Sequence, residues 1–362
     1  MPIQVTADIA IVGAGVAGCI AAIALAPHFN VLLIDKDAQP PARIGECLPG
    51  VALRILKQLN IEEAFTQQTH LVSQGMESYW GSDYKQITDN ITNPDGFGWY
   101  LNRPEFEVLL RKTALARGVN CMWQTKLIGS ESCLQGWQLI TDVAAPIRAK
   151  FVIDAGGRQS PFVRHRGIVR QQHDKLVSCW LTVPDQTEYR MGVIAASEKG
   201  WWYSAPIPGN KRVIAFQTDS DLLPPATRHD LAPLMEHANF CPEIAGLLAD
   251  KAADSIEYHG VTTANSSRLV RGAGSNWAAL GDSAVSFDPL SSQGMYNGMA
   301  SAMQLAEILI LKGMFDDHYQ KQLDNIWHSY LQHKNLFYRA ETRWKQREFW
   351  QRRIKIQASE QT

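Results

Sequence analysis

The chain has 362 residues, and its 35 Lys/Arg against 36 Asp/Glu leave a formal net charge of −1. That length suits two interlocked modules rather than one small core, and the charge balance supplies no long-range field for nucleic acid or an anionic membrane surface. Six scattered cysteines without a CxxC pair, and ten histidines without ligand spacing, argue against a zinc site or disulfide frame and fit a reduced compartment.

No signal-peptide pattern precedes the first strand, and the longest apolar helical run, around 302–311, is too short to span a bilayer. A cytoplasmic protein with no membrane partner is expected. Residues 7–12 (ADIAIV) read as a buried strand that breaks into Gly13-Ala14-Gly15-Val16-Ala17-Gly18. An alanine-rich helix and a second strand (VLLI) follow, ending at Asp35 and Lys36. Strand–GAGVAG–helix–strand–acid is the dinucleotide-binding fingerprint in its proper context. Gly13 permits the tight turn, Gly15 lets backbone approach a pyrophosphate, and Gly18 permits close helix–strand packing. The helix start at Val16 and Ala17 faces the phosphates, and Asp35 can accept from a ribose hydroxyl.

A short basic loop with Arg43 leads to Gly45-Glu46-Cys47-Leu48-Pro49, and a helix is predicted over 51–59. Residues 74–99 lack a helical period and are expected in a sheet outside the first module. Helix returns over 103–117, beginning at Arg103. Residues 151–155 are an apolar strand followed by Gly156-Gly157-Arg158. Between 175 and 218 the runs VSCWLTV, YRMGVIAA, WWYSAPI and RVIAFQT alternate, which predicts an antiparallel sheet. One helix is expected over 229–249. Residues 277–312 then supply strand, loop and helix, and a helical tail over 318–353 interleaves aromatic with basic residues. The expected class is α/β. A Rossmann-like domain is assembled from 1–72, 98–168 and 268–312. An antiparallel substrate domain (73–97 and 169–267) is inserted into it, and 313–362 form a C-terminal helical segment.

The fingerprint alone does not choose between FAD and NAD. Three later segments do: FVIDAGGRQS at 151–160, ALGDSA at 279–284, and GECLP after Arg43. Together they resemble the flavoprotein monooxygenases of the p-hydroxybenzoate hydroxylase type, which include the tryptophan halogenases. The resemblance runs over nearly the whole chain and implies FAD as cofactor. It places Asp282 near the ribitol and pyrophosphate, and the Asp288-Pro289 loop with Gln293, Gly294 and Met295 against the flavin ring. Arg43, Glu46, Cys47, Arg103 and Gly156 complete the expected cofactor set. Asp154 reads equally as a cofactor-side acid or as the cap of a turn. Cys47 reads as a reactive thiol or, preferably, as small filler. A helix beginning near Gln293-Gly294 would turn free amides and a positive dipole end toward the negative charge of a reduced flavin.

The segment Gly200-Trp201-Trp202-Tyr203-Ser204-Ala205-Pro206 looks like the halogenase G-W-x-W-x-I-P signature, altered at Tyr203 and Ala205. Other features depart from halogenation. No lysine stands between Lys57 and Lys85, where halogenases carry the one that receives the oxidised halogen. Their Glu-Ser-Thr-Gly after D-P-L reads here Ser291-Ser292-Gln293-Gly294. Glu46–Gly50, Tyr79–Ser82, GWYLNR at 98–103 and the tail motifs ETRW and FW resemble instead the flavoproteins that mature cysteine tryptophylquinone enzymes. That resemblance implies hydroxylation of a tryptophan in a partner, the precursor of a quinone-dependent amino-acid oxidase, through a flavin C4a-hydroperoxide formed from O2. NAD(P)H binding transiently, or a separate flavin reductase, would supply the electrons. Trp80, Trp201, Trp202 and Tyr203 are the candidate pocket walls, with ordinary core as the alternative, and Glu77, His259 or water is the candidate proton acceptor. The rival functions are oxygenation of a free aromatic or indole metabolite, halogenation, and a non-catalytic flavin-bearing chaperone. The basic tail over 334–355 reads as a packed helix with a solvated face, or as a partner-docking surface.

Overall fold

The apolar runs at 7–12 and 151–154 lie at the centre of the parallel part of an eight-stranded sheet in a computed structural model that describes residues 5–143, 146–313 and 317–359, with side chains to 354. Its parallel strands run Trp277–Ala279, Ile147–Asp154, Val5–Val12, Val31–Ile34 and Asn120–Met122, and Ala273–Gly274, Gly136–Thr141 and Leu127–Cys133 join it antiparallel. Residues 9–12, 31–34 and 277–279 are buried throughout, as in a sheet covered on both faces, whereas 147–150 alternates between buried and exposed. The helices Val16–Leu25, Arg103–Ala116 and Gly294–Lys312 pack together over it. Val12 pairs with Ile34 and with Asp154, and Asp154 with Ala279, so four strands end on one edge. The turns at Gly13, Asp35, Gly156 and Gly281 all leave from that edge, which is where doubly wound sheets bind ligands.

A second, seven-stranded sheet has the order Glu257–Thr263, Leu176–Pro184, Lys211–Asp219, Gly200–Ile207, Met191–Ser197, Gly75–Tyr79, Gln86–Asp89. It is antiparallel apart from the pairing of Met191–Ser197 with Gly75–Tyr79. Alternation gives it two different faces. Cys179, Leu181, Trp202, Ile214 and Phe216 pack under the short helices Ala232–Ala238 and Pro242–Leu248. Trp201 and Leu176, on the opposite face, are covered with Trp80 by Tyr338, Phe349 and Trp350 of the C-terminal helices. This is the expected α/β architecture.

Two expectations need correcting. The single helix predicted over 229–249 is two, because Cys241 is extended and Pro242, which has no amide hydrogen, opens the second. The tail is likewise split into Asp317–Ala340 and Glu348–Ser359. Between them Glu341 accepts from the Gly81 amide at 2.9 Å and from Arg343. The tail packs as a structural element: Tyr338, Phe349 and Trp350 are buried, and Arg353 pairs with Asp219 at 2.9 Å. Leu336 and Phe337 stay exposed, and the Lys355 side chain lies outside the described residues. Among the described residues no helix is long and apolar enough to cross a membrane.

Candidate cofactor and substrate site

A cavity of about 890 Å³ runs from the carboxyl edge of the parallel sheet to the seven-stranded sheet. Gly13, Gly15, Val16, Ala17, Asp35, Lys36 and Arg43 line its first end. Glu46, Cys47, Arg103, Gly156, Asp282, Pro289, Gly294 and Met295 follow. Ser178, Trp180, Tyr203, Gln217 and His259 close the sheet end. Two of the expected cofactor residues are off the wall. Gly18 serves packing: a Cβ there would stand 1.9 Å from the Gly13 carbonyl oxygen. Gln293 is the N-cap of the Gly294–Lys312 helix, its carbonyl accepting from the Asn297 amide at 2.9 Å.

The first end is shaped for a diphosphate. Gly13 has φ +108°, and a Cβ on it would meet the Ala155 carbonyl oxygen at 2.4 Å, so only glycine fits. At Gly15 a Cβ would meet nothing within 4 Å, leaving room for a ligand to approach the backbone. The helix that starts there has no side-chain cap and no acidic residue in its first turn, so its free amides are available to an anion. Asp35 is fixed on both oxygens: Oδ2 accepts from the Ala14 amide at 2.5 Å and Oδ1 from the Asp37 amide at 2.8 Å. Arg111 stands 3.3 Å from Asp35 Oδ2 and donates through Nε to the Ala14 carbonyl at 3.2 Å. Oδ1, with a single donor, keeps a lone pair for a ribose. Sequence reasoning missed Arg111. Its only signal is its place one turn beyond Glu107 on the same helix, and residue type alone does not separate a buried helical arginine from a solvated one.

The flavin-side loop is held from beneath. Asp288 is buried, with Oδ1 accepting from the Leu290 amide at 2.9 Å and Oδ2 from the Tyr338 hydroxyl at 2.8 Å. Its own amide donates to the Tyr330 hydroxyl at 2.8 Å, and Lys334 Nζ lies 3.8 Å from Oδ2. Arg158 donates from Nη2 to the Phe287 carbonyl at 3.0 Å and so ties this loop to the turn after the central strand. The Gly294–Lys312 helix begins without a side-chain cap or first-turn acid, and its first residues line the cavity. Gly281, at φ +58°, brings the Asp282 loop against Ala17, 3.2 Å from where a Cβ would be. Asp154 resolves to the capping reading. Fully buried, it accepts from the Gly156 amide (3.0 Å), the Ser283 hydroxyl (2.7 Å) and the Val163 amide (2.9 Å). The open cradle at Gly15 and two uncapped helix starts on one cavity fit FAD, with its diphosphate and its anionic reduced ring.

At the sheet end the structure keeps two of the candidate catalytic residues and moves the others. Tyr203 and His259 line the cavity. His259 stacks on Trp180 at 3.9 Å and 17°, and its Nε2 is hydrogen-bonded to the Thr182 hydroxyl at 3.1 Å. Burial lowers its pKa, so the ring is neutral near pH 7. Burial, and then the nearby Glu46 charge, raise the Tyr203 phenol well above its usual range, which keeps it protonated. Trp80 and Trp201 are core instead. Trp80 Nε1 donates to the Phe337 carbonyl at 2.7 Å, and Trp201 Nε1 to the Tyr338 hydroxyl at 3.0 Å. Trp202 points to the opposite face, 4.7 Å from Phe216. Glu77 is off the cavity wall, held by Lys85 at 2.7 Å and by the Tyr189 hydroxyl at 2.5 Å. Cys47 does line the wall, but burial and then the Glu46 charge push its thiol up to about 12, which leaves it as filler. Ser178, Trp180 and Gln217 were missed, because alternation marks which residues share a face but not which rows of that face are covered.

The family described as FAD binding domain matches residues 6–314. LodB of Marinomonas mediterranea, named as an FAD-dependent oxidoreductase, is 26% identical over 96% of this chain and 96% of its own length. The tryptophan 2-halogenase of Chondromyces crocatus is 23% identical over 84% of this chain and 61% of its length. Among solved structures, the myxobacterial chondrochloren halogenase CndH superposes with a TM-score of 0.86 at 19% identity, over 99% of this chain and 89% of that one. QhpG, a peptidyl tryptophan dihydroxylase essential for tryptophylquinone cofactor biogenesis, superposes with a TM-score of 0.78 at 20% identity, over 96% of this chain and 79% of that one. At these identities the superpositions establish the common fold.

Proposed function

The chain belongs to the FAD binding domain family, and from that premise we propose that it is a flavin-dependent monooxygenase acting on a tryptophan side chain of a partner polypeptide. The partner proposed is the precursor of a cysteine tryptophylquinone-dependent amino-acid oxidase. The composition of the sheet end supports this reading most directly. Trp180, Tyr203 and His259 offer aromatic surface there, while the lysines on the described cavity wall, Lys36 and Lys126, stand beside Asp35 and Thr125 at the other end. A halogen relay through lysine therefore has no residue to use where the substrate would lie. The whole-length similarity to LodB and the shared fold with QhpG point the same way.

In this reading Gly13, Gly15, Val16 and Ala17 take the diphosphate, and Asp35 with Lys36 takes the adenosine ribose. Arg43, Arg103, Gly156 and Asp282 hold the middle of the cofactor. Pro289, Gly294 and Met295 back the ring, with Gln293 capping the helix behind them. Bound and reduced, the flavin supplies the electrons that allow one atom of O2 to enter an aromatic ring. The stacked Trp180–His259 pair and Tyr203 orient that ring and exclude water. Electrons come from NAD(P)H bound transiently or from a separate reductase, since the chain carries one dinucleotide fingerprint. The deciding experiment mixes the reduced protein with an unmodified oxidase precursor in air and measures the precursor's mass. A gain of oxygen on tryptophan is expected, and an unchanged mass refutes the proposal.

Oxygenation of a free aromatic or indole metabolite is the second reading, favoured by the near-complete burial of Ser178 and Gln217 at the end of the cavity. It predicts that a small indole, rather than the precursor, accelerates reoxidation of the reduced flavin. A stable complex with the precursor and no turnover would instead identify a flavin-bearing chaperone.

A further inference from the structure

Four polar atoms at the sheet end of the cavity are buried without a hydrogen-bond partner: Glu46 Oε1, Tyr203 Oη, Ser178 Oγ and Gln217 Oε1. Buried polar groups are ordinarily satisfied, and a group of unpaired ones on residues lining one cavity marks where a ligand's polar atoms would belong. The register explains how they converge. Ser178 lies directly opposite Gln217 on the neighbouring strand, and Trp180 and Tyr203 flank Ala215 from either side. Trp180 and Tyr203 thus share one row of that face, and Ser178 and Gln217 stand in the adjacent row.

Glu46 comes from the other wall, with its backbone fixed on both sides. Its carbonyl accepts from the Leu101 amide at 2.9 Å, and Cys47 pairs with Tyr100. Carboxylate Oε2 takes the Gly45 amide at 3.0 Å, while Oε1 is buried without a hydrogen-bond partner, in a cavity-lining residue only 4% exposed. Of the nearby cations, Arg103 pairs through its terminal nitrogens and keeps a buried Nε without a partner. It donates through Nη2 to Glu107 at 2.7 Å and through Nη1 to the Gly45 carbonyl, and Arg43 stands 3.9 Å from Glu107. A buried carboxylate short of hydrogen-bond partners is costly; the protonated Tyr203 phenol is the protein donor beside it, and a donor on what enters the cavity would complete the set.

We propose that Glu46 is a catalytic residue: its free oxygen accepts the ring N–H or O–H of an electron-rich aromatic substrate and takes up the proton that oxygen insertion displaces. Its role in catalysis rests on the monooxygenase reading above; its role in recognition does not. In the step assigned to it, a ring carbon forms a C–O bond with one atom of O2. The O–O bond breaks with two electrons from the ring and two from the reduced flavin. The hydrogen on that carbon leaves as a proton to Glu46, which returns it to the hydroxide formed from the second oxygen atom, giving water. The substrate class that matches is an indole or phenol with its donor free; an N- or O-alkylated analogue leaves the acceptors unpaired.

The test titrates the oxidised, FAD-loaded protein with indole and with 1-methylindole, following the flavin absorbance. Wild type is expected to bind indole at least about 10-fold more tightly, because a charge-assisted hydrogen bond is lost with the methyl analogue. Glu46→Gln keeps the side-chain shape and removes its charge. Read per bound FAD, it should reduce the preference to below about 3-fold and slow oxygen insertion by about 100-fold, as loss of a general base does. Ser178→Ala, a small change in volume, should cut the preference by about 3-fold and serves if E46Q does not fold. Equal binding of the two indoles by wild type overturns the proposal, as does wild-type preference with wild-type insertion rate in E46Q. A preserved indole preference with no oxygen on the tryptophan precursor refutes the partner-protein reading and leaves recognition by Glu46 standing.

Discussion

Replacing Lys334 with methionine tests whether the flavin-side loop is set by the C-terminal helix beneath it. Lys334 Nζ donates to Asp174 Oδ2 and, at 2.8 Å, to the Ser266 hydroxyl, and lies 3.8 Å from Asp288 Oδ2. The side chains of all three charged residues are at most 5% exposed. Methionine fills a similar volume but leaves two buried carboxylates without their shared cation, an expected loss of about 3–5 kcal/mol. In a chain of this length that corresponds to a fall in Tm of about 4–7 °C. The pH dependence gives the reasoning a sharper check. Burial pushes the Asp174 carboxyl up, but Lys334 and then Arg353 more than offset it, so in the wild type it lies below the usual range. Its stabilising contribution is therefore present above the unfolded pKa and lost as pH falls through the folded one. Without Lys334, Asp174 should join Asp288, whose carboxyl burial already raises. The folded variant then binds extra protons, so its deficit is largest near pH 7 and shrinks toward about pH 5. Urea unfolding across that range, with retained FAD read from the visible spectrum, measures both effects. A deficit below about 1 kcal/mol at pH 7, or one independent of pH, would refute the reasoning. Adding Asp174→Asn to the variant should recover part of the loss.

The two cradle glycines should separate folding from cofactor binding. Gly15→Ala meets no protein atom, so a folded protein with near wild-type Tm and little bound FAD is expected, whereas Gly18→Ala, driven into the Gly13 carbonyl, should lower Tm and FAD content together. Equal FAD loss with an equal fall in Tm for both would remove the distinction. Trp201→Phe gives up the bond to Tyr338 and some packing in a buried cluster. A loss of about 1–3 kcal/mol is expected with KM for the aromatic substrate nearly unchanged, and a large rise in KM would return Trp201 to the pocket wall. A thiol reagent at about pH 8 should label exposed Cys133 quickly and leave Cys47 unmodified; rapid labelling of Cys47 would contradict its assignment as filler.

Local patterns in the sequence were enough for the parts of this protein that follow from short-range geometry. ADIAIV followed by GAGVAG, a helix, VLLI and Asp35 specifies a strand–turn–helix–strand unit, because the left-handed turn at Gly13 and the close approach at Gly18 need glycine at those positions. The strand ending at Asp154, the Gly281-Asp282 turn and the helix opened at Gly294 were legible for similar reasons, and alternation over 175–218 marked the second sheet. What the sequence did not contain was which long-range surfaces meet. Trp80, Trp201 and Trp202 had the composition of a substrate wall, yet two of them lie under Tyr338 and Trp350, more than 130 residues away in the chain, and the third faces the other side of the sheet. Glu77 is a strand acid like many others until Lys85 and Tyr189 are seen to hold it. Ser178, Gln217 and Tyr203 converge only through the register of three strands, and Glu46 joins them from a loop that the parallel sheet positions. Helix starts, tight turns and strand periodicity are properties of a few consecutive residues, so the sequence alone determined them. Burial, partner and pairing depend on which distant segments cover a face, and these were decided only by the tertiary structure.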